Sequence, residues 1–125
     1  MLAKDMMGLG VQAELAQRAG TNGPASVTGA GTTTTDATVL LKEQRVVLAA
    51  GASNSGIRLP ADAEMQVPYY VAVTGANTVK IYPPTSGTLN GAAANASVAI
   101  VTTLAGEFRR YSSTGWIAIG TVAPA

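Results

Sequence analysis

The chain has 125 residues, of which 47% are hydrophobic and only 12% charged, with a formal net charge of +1 and neither His nor Cys. That balance leaves no electrostatic footprint for nucleic acid or an anionic membrane, no disulfide or thiolate metal site, and no Ser-His-Asp or Cys-His nucleophile. The length suits one domain with a modest core, and with Trp and Phe present once each the composition points to thin β-structure that gains from oligomerisation.

Residues 1–20 differ from the rest. LAKDMM and VQAELAQRA carry helix formers, Gly8-Leu9-Gly10 separates them, and Gly20 is a C-terminal stop. Two short helices fit this pattern, with Leu2, Met6, Leu9, Val11 and Leu15 in one apolar stripe and Met6-Met7 suited to an adaptable contact. Helices this short are marginal alone. They need a docking surface on the β-domain, a neighbouring copy or another protein. Lys4 and Asp5 fall where the apolar core of a secretory signal would begin. The longest apolar stretch, Val46 to Ala52, is far shorter than the roughly 20 residues of a membrane span. GLGVQA at Gly8–Ala13 has dinucleotide-fingerprint spacing, but no strand precedes it and no βαβ unit follows.

From Thr21 to Thr35 the sequence reads TNGPASVTGAGTTTT. This reads as a linker or extended arm, or as plain disorder, since no periodicity supports a packed element. A β-domain is expected over residues 36–125, and deletion of residues 1–35 is expected to leave it folded. Its strand candidates are Thr38–Leu41, Arg45–Ala49, Gly56–Leu59, Val67–Thr74, Thr78–Pro83, Ser97–Val101, Glu107–Tyr111 and Trp116–Gly120. About eight short antiparallel strands suggest a β-sandwich or a jelly-roll-like barrel. VVLAAGASNSGIRL also echoes SVAIVTTLAGEFRR weakly.

Two hairpins are expected. Around Gly75-Ala76-Asn77, a three-residue loop sets Val73 against Val79, Val71 against Ile81 and Tyr70 against Tyr82. One face is then Val71, Val73, Val79 and Ile81. The other is Tyr70, Ala72, Lys80 and Tyr82. Around Ser112–Gly115, Tyr111 is expected opposite Trp116. Phe108 and Arg110 would then share a face with Ile117 and Ile119, and Arg109 would share the other with Tyr111, Trp116 and Ala118. There Arg109 is free to lie over an aromatic ring.

Little in the chain suggests a reaction. Asp36, Glu43, Asp62, Glu64 and Glu107 are scattered and read as solvated loop charges rather than a glycosidase pair. Asp62 and Glu64 alone lack a cation's ligand shell. Catalytic residues, cofactors and metals are therefore not expected. Tyr70, Tyr82, Arg109, Tyr111 and Trp116 are candidates for a subunit or partner interface. A sugar-stacking platform is the alternative use of the aromatics, and core packing is the bland one.

The run NTVKIYPPTSGTLNGAAANASVAIVTTLAGEFRRYSSTGWIAI resembles a domain of tailed-phage structural proteins. The likeness rests on Val79–Pro84, Leu89–Ala96, Val98–Val101, Gly106–Tyr111 and Trp116, with GIRLP at Gly56–Pro60 also fitting. It covers about two-thirds of the chain. The resemblance implies a capsid decoration (cement) or head-fibre protein: non-enzymatic, often trimeric, bound to the major capsid protein on the outer capsid surface of the virion. On that view the stripe of Leu2, Met6, Met7, Leu9, Val11 and Leu15 is a capsid anchor. A receptor- or glycan-binding module of a fibre is the alternative.

Overall fold

The computed structural model describes residues 24–120 and the backbone strand Ala123–Pro124. The anchor candidates Leu2, Met6, Met7, Leu9, Val11 and Leu15 lie outside these residues. The described chain is all-β, with no helix. Its strands, in chain order, are β1 (Ala25–Thr28), β2 (Thr38–Val39), β3 (Val46–Ala50), β4 (Ser55–Arg58), β5 (Tyr69–Val73), β6 (Val79–Tyr82), β7 (Thr88–Leu89), β8 (Val98–Ile100), β9 (Ala105–Arg110), β10 (Gly115–Gly120) and β11 (Ala123–Pro124). Each of the eight segments expected from the alternation of side chains contains a strand; β1, β7 and β11 are additional.

The strands form two sheets, ordered β1-β3-β5-β9-β10-β7 and β11-β8-β6-β4-β2. The first six strands alternate between them, so the chain winds through three stacked coils, β1–β2, β3–β4 and β5–β6. The stacking is parallel. Ala25 lies beside Val47 and Val47 beside Val71 in the first sheet, while Thr38, Ile57 and Ile81 line up in the second. After the coils the chain reverses. β8 runs antiparallel to β6, β9 to β5, and β10 to β9, with β7 parallel on the far side of β10.

The antiparallel sandwich or jelly roll expected from the sequence is therefore corrected to a solenoid-like stack of parallel coils closed by antiparallel strands. Parallel coils need each turn to bury a face it cannot bury alone. Val27, Ala49 and Val73 form one such inward column at the end of the first sheet. Val47, Tyr69, Val71, Leu89, Phe108 and Trp116 from the first sheet meet Ile57, Val79, Ile81, Val98 and Ile100 from the second in a single core.

The corners are made by a repeated dipeptide. Gly29-Ala30, Gly51-Ala52 and Gly75-Ala76 each follow the strand of the first sheet and turn the chain toward the second. They stack directly. A Cβ on Gly51 would lie 3.1 Å from backbone atoms of Gly29, and one on Gly75 would lie 2.9 Å from the Ala50 Cβ. Gly75-Ala76-Asn77 is consequently a corner between sheets and not a hairpin loop. Val71 and Val73 do not pair with Ile81 and Val79, and Tyr70 does not pair with Tyr82. β5 is held instead between β3 and β9, and β6 between β4 and β8.

The segment expected as a linker or arm is structural from Pro24 onward. Ala25–Thr28 pairs with β3, and the threonine run folds over the outer surface of the second sheet. There Arg58 Nη1 donates to the Thr34 carbonyl at 2.9 Å, and the Tyr82 hydroxyl donates to the Thr32 carbonyl at 2.7 Å. Asp36 closes the turn by accepting from the Thr33 backbone N–H at 2.8 Å and from the Thr33 hydroxyl. These bonds hold its carboxyl below the usual carboxylate range, the hydroxyl contributing most. On the other side, Asn90 fixes β7 to β10: its N–H donates to the Trp116 carbonyl, and its Oδ1 accepts from the Ala118 N–H.

Candidate functional site

Side chains alternate across a strand, so each sheet has an inward and an outward set. The outward set of the first sheet follows from the register. Ser26, Leu48, Ala72 and Ala105 form one row across it. Val46, Tyr70, Glu107 and Ile119 form the next, and Arg109 with Ile117 the one after. Tyr111 completes the face, its ring lying where a Cβ on Gly115 would be, 2.5 Å from the ring's Cζ.

This face is apolar and open. Val46 and Tyr70 are each 44% exposed, Ile117 42%, Ile119 53% and Tyr111 45%. Among them runs a shallow groove of about 290 Å³, with Leu48, Ala72 and Ala105 low in it and Tyr70, Glu107 and Ile119 at its sides. Ala72 and Ala105 make the depression because they are the smallest side chains in their row. The charges on the face cancel: Arg109 Nε donates to Glu107 Oε2 from two residues along the same strand. That bond, above all other influences, raises the Arg109 pKa and keeps the guanidinium firmly charged.

The five residues singled out in the sequence divide between different places. Tyr70, Arg109 and Tyr111 belong to the outer face of the first sheet. Tyr82 is buried on the outer side of the second sheet, its ring over Gly56 and beneath the threonine run. Trp116 is in the core, 1% exposed, and meets Tyr69 edge-on with ring centroids 5.9 Å apart. The pairing of Tyr111 with Trp116 is therefore corrected. Trp116 stands opposite Arg110, and the Tyr111 N–H bonds to Gly115. This slip of one residue reverses the face of every side chain on β10. Burying the indole turns Ile117 and Ile119 outward and places Trp116 and Arg109 on opposite faces, so Arg109 does not stack on that ring.

Val46, Leu48, Ile117 and Ile119 were missed as surface residues. Val46-Val47-Leu48 carried a usable signal, because a strand that is apolar at consecutive positions offers an apolar side to both faces. For β10 the signal was absent: WIAI is apolar throughout and fits either register.

The scattered carboxylates each have a local structural partner or none in common. Glu64 reaches Lys42 and Arg45 at 3.8 and 4.0 Å, Glu107 holds Arg109, and Asp36 caps its own turn. Among the described residues no three potential metal ligands cluster. No family model and no curated protein matches the chain. What the described surface offers is thus a rigid apolar plane. Such a plane suits binding to a protein, since contiguous exposed apolar surface beyond a few hundred Å² marks an interaction site.

Proposed function

We propose that the chain is a structural virion protein that decorates a tailed-phage capsid, binding the major capsid protein on the outer surface and stabilising the shell. The observation that supports it is the apolar outer face of the first sheet, held flat by stacked coils. The resemblance in sequence supplies the shell as the partner. The mechanism is mass action: a protein that binds assembled shell but not dissociated subunits shifts the equilibrium toward the shell, by about 2.7 kcal/mol per site at a hundredfold excess over Kd. No catalytic residue, cofactor or metal enters this reading, and copies of the chain associate on the shell.

The test is sedimentation of the full chain with undecorated phage heads, followed by heating. Co-sedimentation and a raised disruption temperature support decoration. A chain that stays in the supernatant and leaves the disruption temperature unchanged overturns it. The alternative of a glycan-binding module lost its platform, because Tyr82 and Trp116 are buried away from Tyr70 and Tyr111.

A further inference from the structure

The outer face of the first sheet is complementary to itself. On β9 the acid and the base are two residues apart, at 107 and 109, and both point outward. Consider a second copy laid face to face on the first, its β9 reversed about a two-fold axis that crosses the strand at the level of Phe108. Position 107 of each copy then faces position 109 of the other, so Glu107 meets Arg109 twice and the two internal pairs merge into one four-membered network. By the same reversal position 105 faces position 111. The exposed Tyr111 ring of each copy comes down over the depression that Ala72 and Ala105 leave in its partner. On β10, Ile117 lies over Ile119. Knob meets hole, acid meets base, and apolar meets apolar.

Size is adequate. The sheet spans about five strand spacings of ~4.8 Å, with strands of about five residues at ~3.3 Å each, or roughly 400 Å² in plan per copy. With side-chain relief, two such faces reach the ~1,000 Å² that a specific interface clears. Packed sheets lie about 10 Å apart and rotated by about 30°, and that rotation displaces positions near the axis least, where Glu107 and Arg109 stand.

We propose that the outer face of the first sheet binds a second copy of this chain about a two-fold axis through β9, making an isologous dimer. This rests on the reading of that face as a protein-binding surface and names its occupant. It also replaces the three-fold association implied by the resemblance, because a face that complements itself closes a dimer.

The test is sedimentation equilibrium of the full chain over a dilution series, with two charge variants. Glu107→Arg gives a face with two cations; Arg109→Glu gives one with two anions. The expected result is a wild-type dimer that dissociates on dilution, two variants that are each monomeric with wild-type circular dichroism, and a dimer restored when the variants are mixed in equal amounts. Restoration by mixing cannot come from a role within one copy. An Ile117→Lys/Ile119→Lys variant should be monomeric and unresponsive to either charge variant. A wild-type chain that is monomeric at all concentrations overturns the proposal, as does a trimer, or a dimer that neither charge variant weakens. A monomer that still co-sediments with phage heads ends the dimer and leaves the decoration reading standing. A dimer that ignores the heads does the reverse.

Discussion

Trp116 and Ile117 are adjacent, yet substitution at the two should have opposite signatures. Truncating Trp116, which packs on Tyr69 in the core, opens a cavity that costs about 3–5 kcal/mol; chemical denaturation of Trp116→Ala should show that loss. Ile117→Ser sits on the exposed face and should change stability by less than about 0.5 kcal/mol while weakening self-association. Ser55 points the other way. Its hydroxyl is buried without a hydrogen-bond partner between the Gly29 and Gly51 corners, and a buried polar group left unsatisfied costs about 1–3 kcal/mol. Ser55→Ala should therefore raise the melting temperature. Tyr69 gives a pH signature. Burial, more than any charge, raises its pKa above the ordinary value of 10.0, and its hydroxyl donates to the Lys42 carbonyl at 2.5 Å. A raised pKa stabilises the fold fully below the unfolded value, and the contribution is lost as pH climbs through the folded one. Alkaline unfolding followed by tyrosinate absorbance should show one tyrosine ionising together with the loss of structure, and Tyr69→Phe should remove that coupling.

At the level of elements, the stacked corners matter most. Gly51 has φ of +154°, and a Cβ there would meet Gly29 backbone at 3.1 Å as well as the Ser55 Oγ. Gly51→Ala should destabilise the fold by about 1–3 kcal/mol through backbone strain, measured as a shift of the denaturation midpoint at constant slope. The strands themselves were legible in the sequence because the period-two alternation of VVLAA or VAVT is local. Their partners were not. GAN between VAVT and TVKIY is compatible with a hairpin loop by length and residue type. What makes it a corner is the Gly-Ala pair above it on the preceding coil, more than twenty residues away. The recurrence VTGA, AAGA, VTGA at 27–30, 49–52 and 73–76 is the signal that would have revealed the coils; the echo between VVLAAGASNSGIRL and SVAIVTTLAGEFRR matched strands that cross between sheets in opposite directions.

For the whole molecule, the boundary of the β-structure decides where a truncation is tolerated. Removing residues 1–23 leaves every described strand in place. Removing residues 1–35 deletes β1, uncovers the edge of β3, and strips the threonine run from Arg58 and Tyr82. The shorter deletion should melt cooperatively near the intact chain. The longer one should lose cooperativity or aggregate through the uncovered strand edge, as seen by circular dichroism and light scattering. Composition alone pointed to a free arm here, since TTTT carries no apolar pattern; its partners are hydrogen-bond donors distant in sequence, which no local window contains. The candidate face was half legible for the same kind of reason. Tyr70, Arg109 and Tyr111 were visible as residues out of place in a core, whereas Ile117 and Ile119 face outward only because Trp116 claims the inside.

The parallel run also makes the protein a graduated spacer. Each coil is a unit that enters through one Gly-Ala corner and leaves above it, 24 residues on between Val47 and Val71, and it thickens the stack by one strand spacing of about 4.8 Å. A whole coil gained or lost between β1 and β3 would shift the N-terminal side of the molecule by that step, while β9, β10 and their outward residues kept their places. Reach could thus be adjusted in fixed increments without redrawing the surface that makes contact.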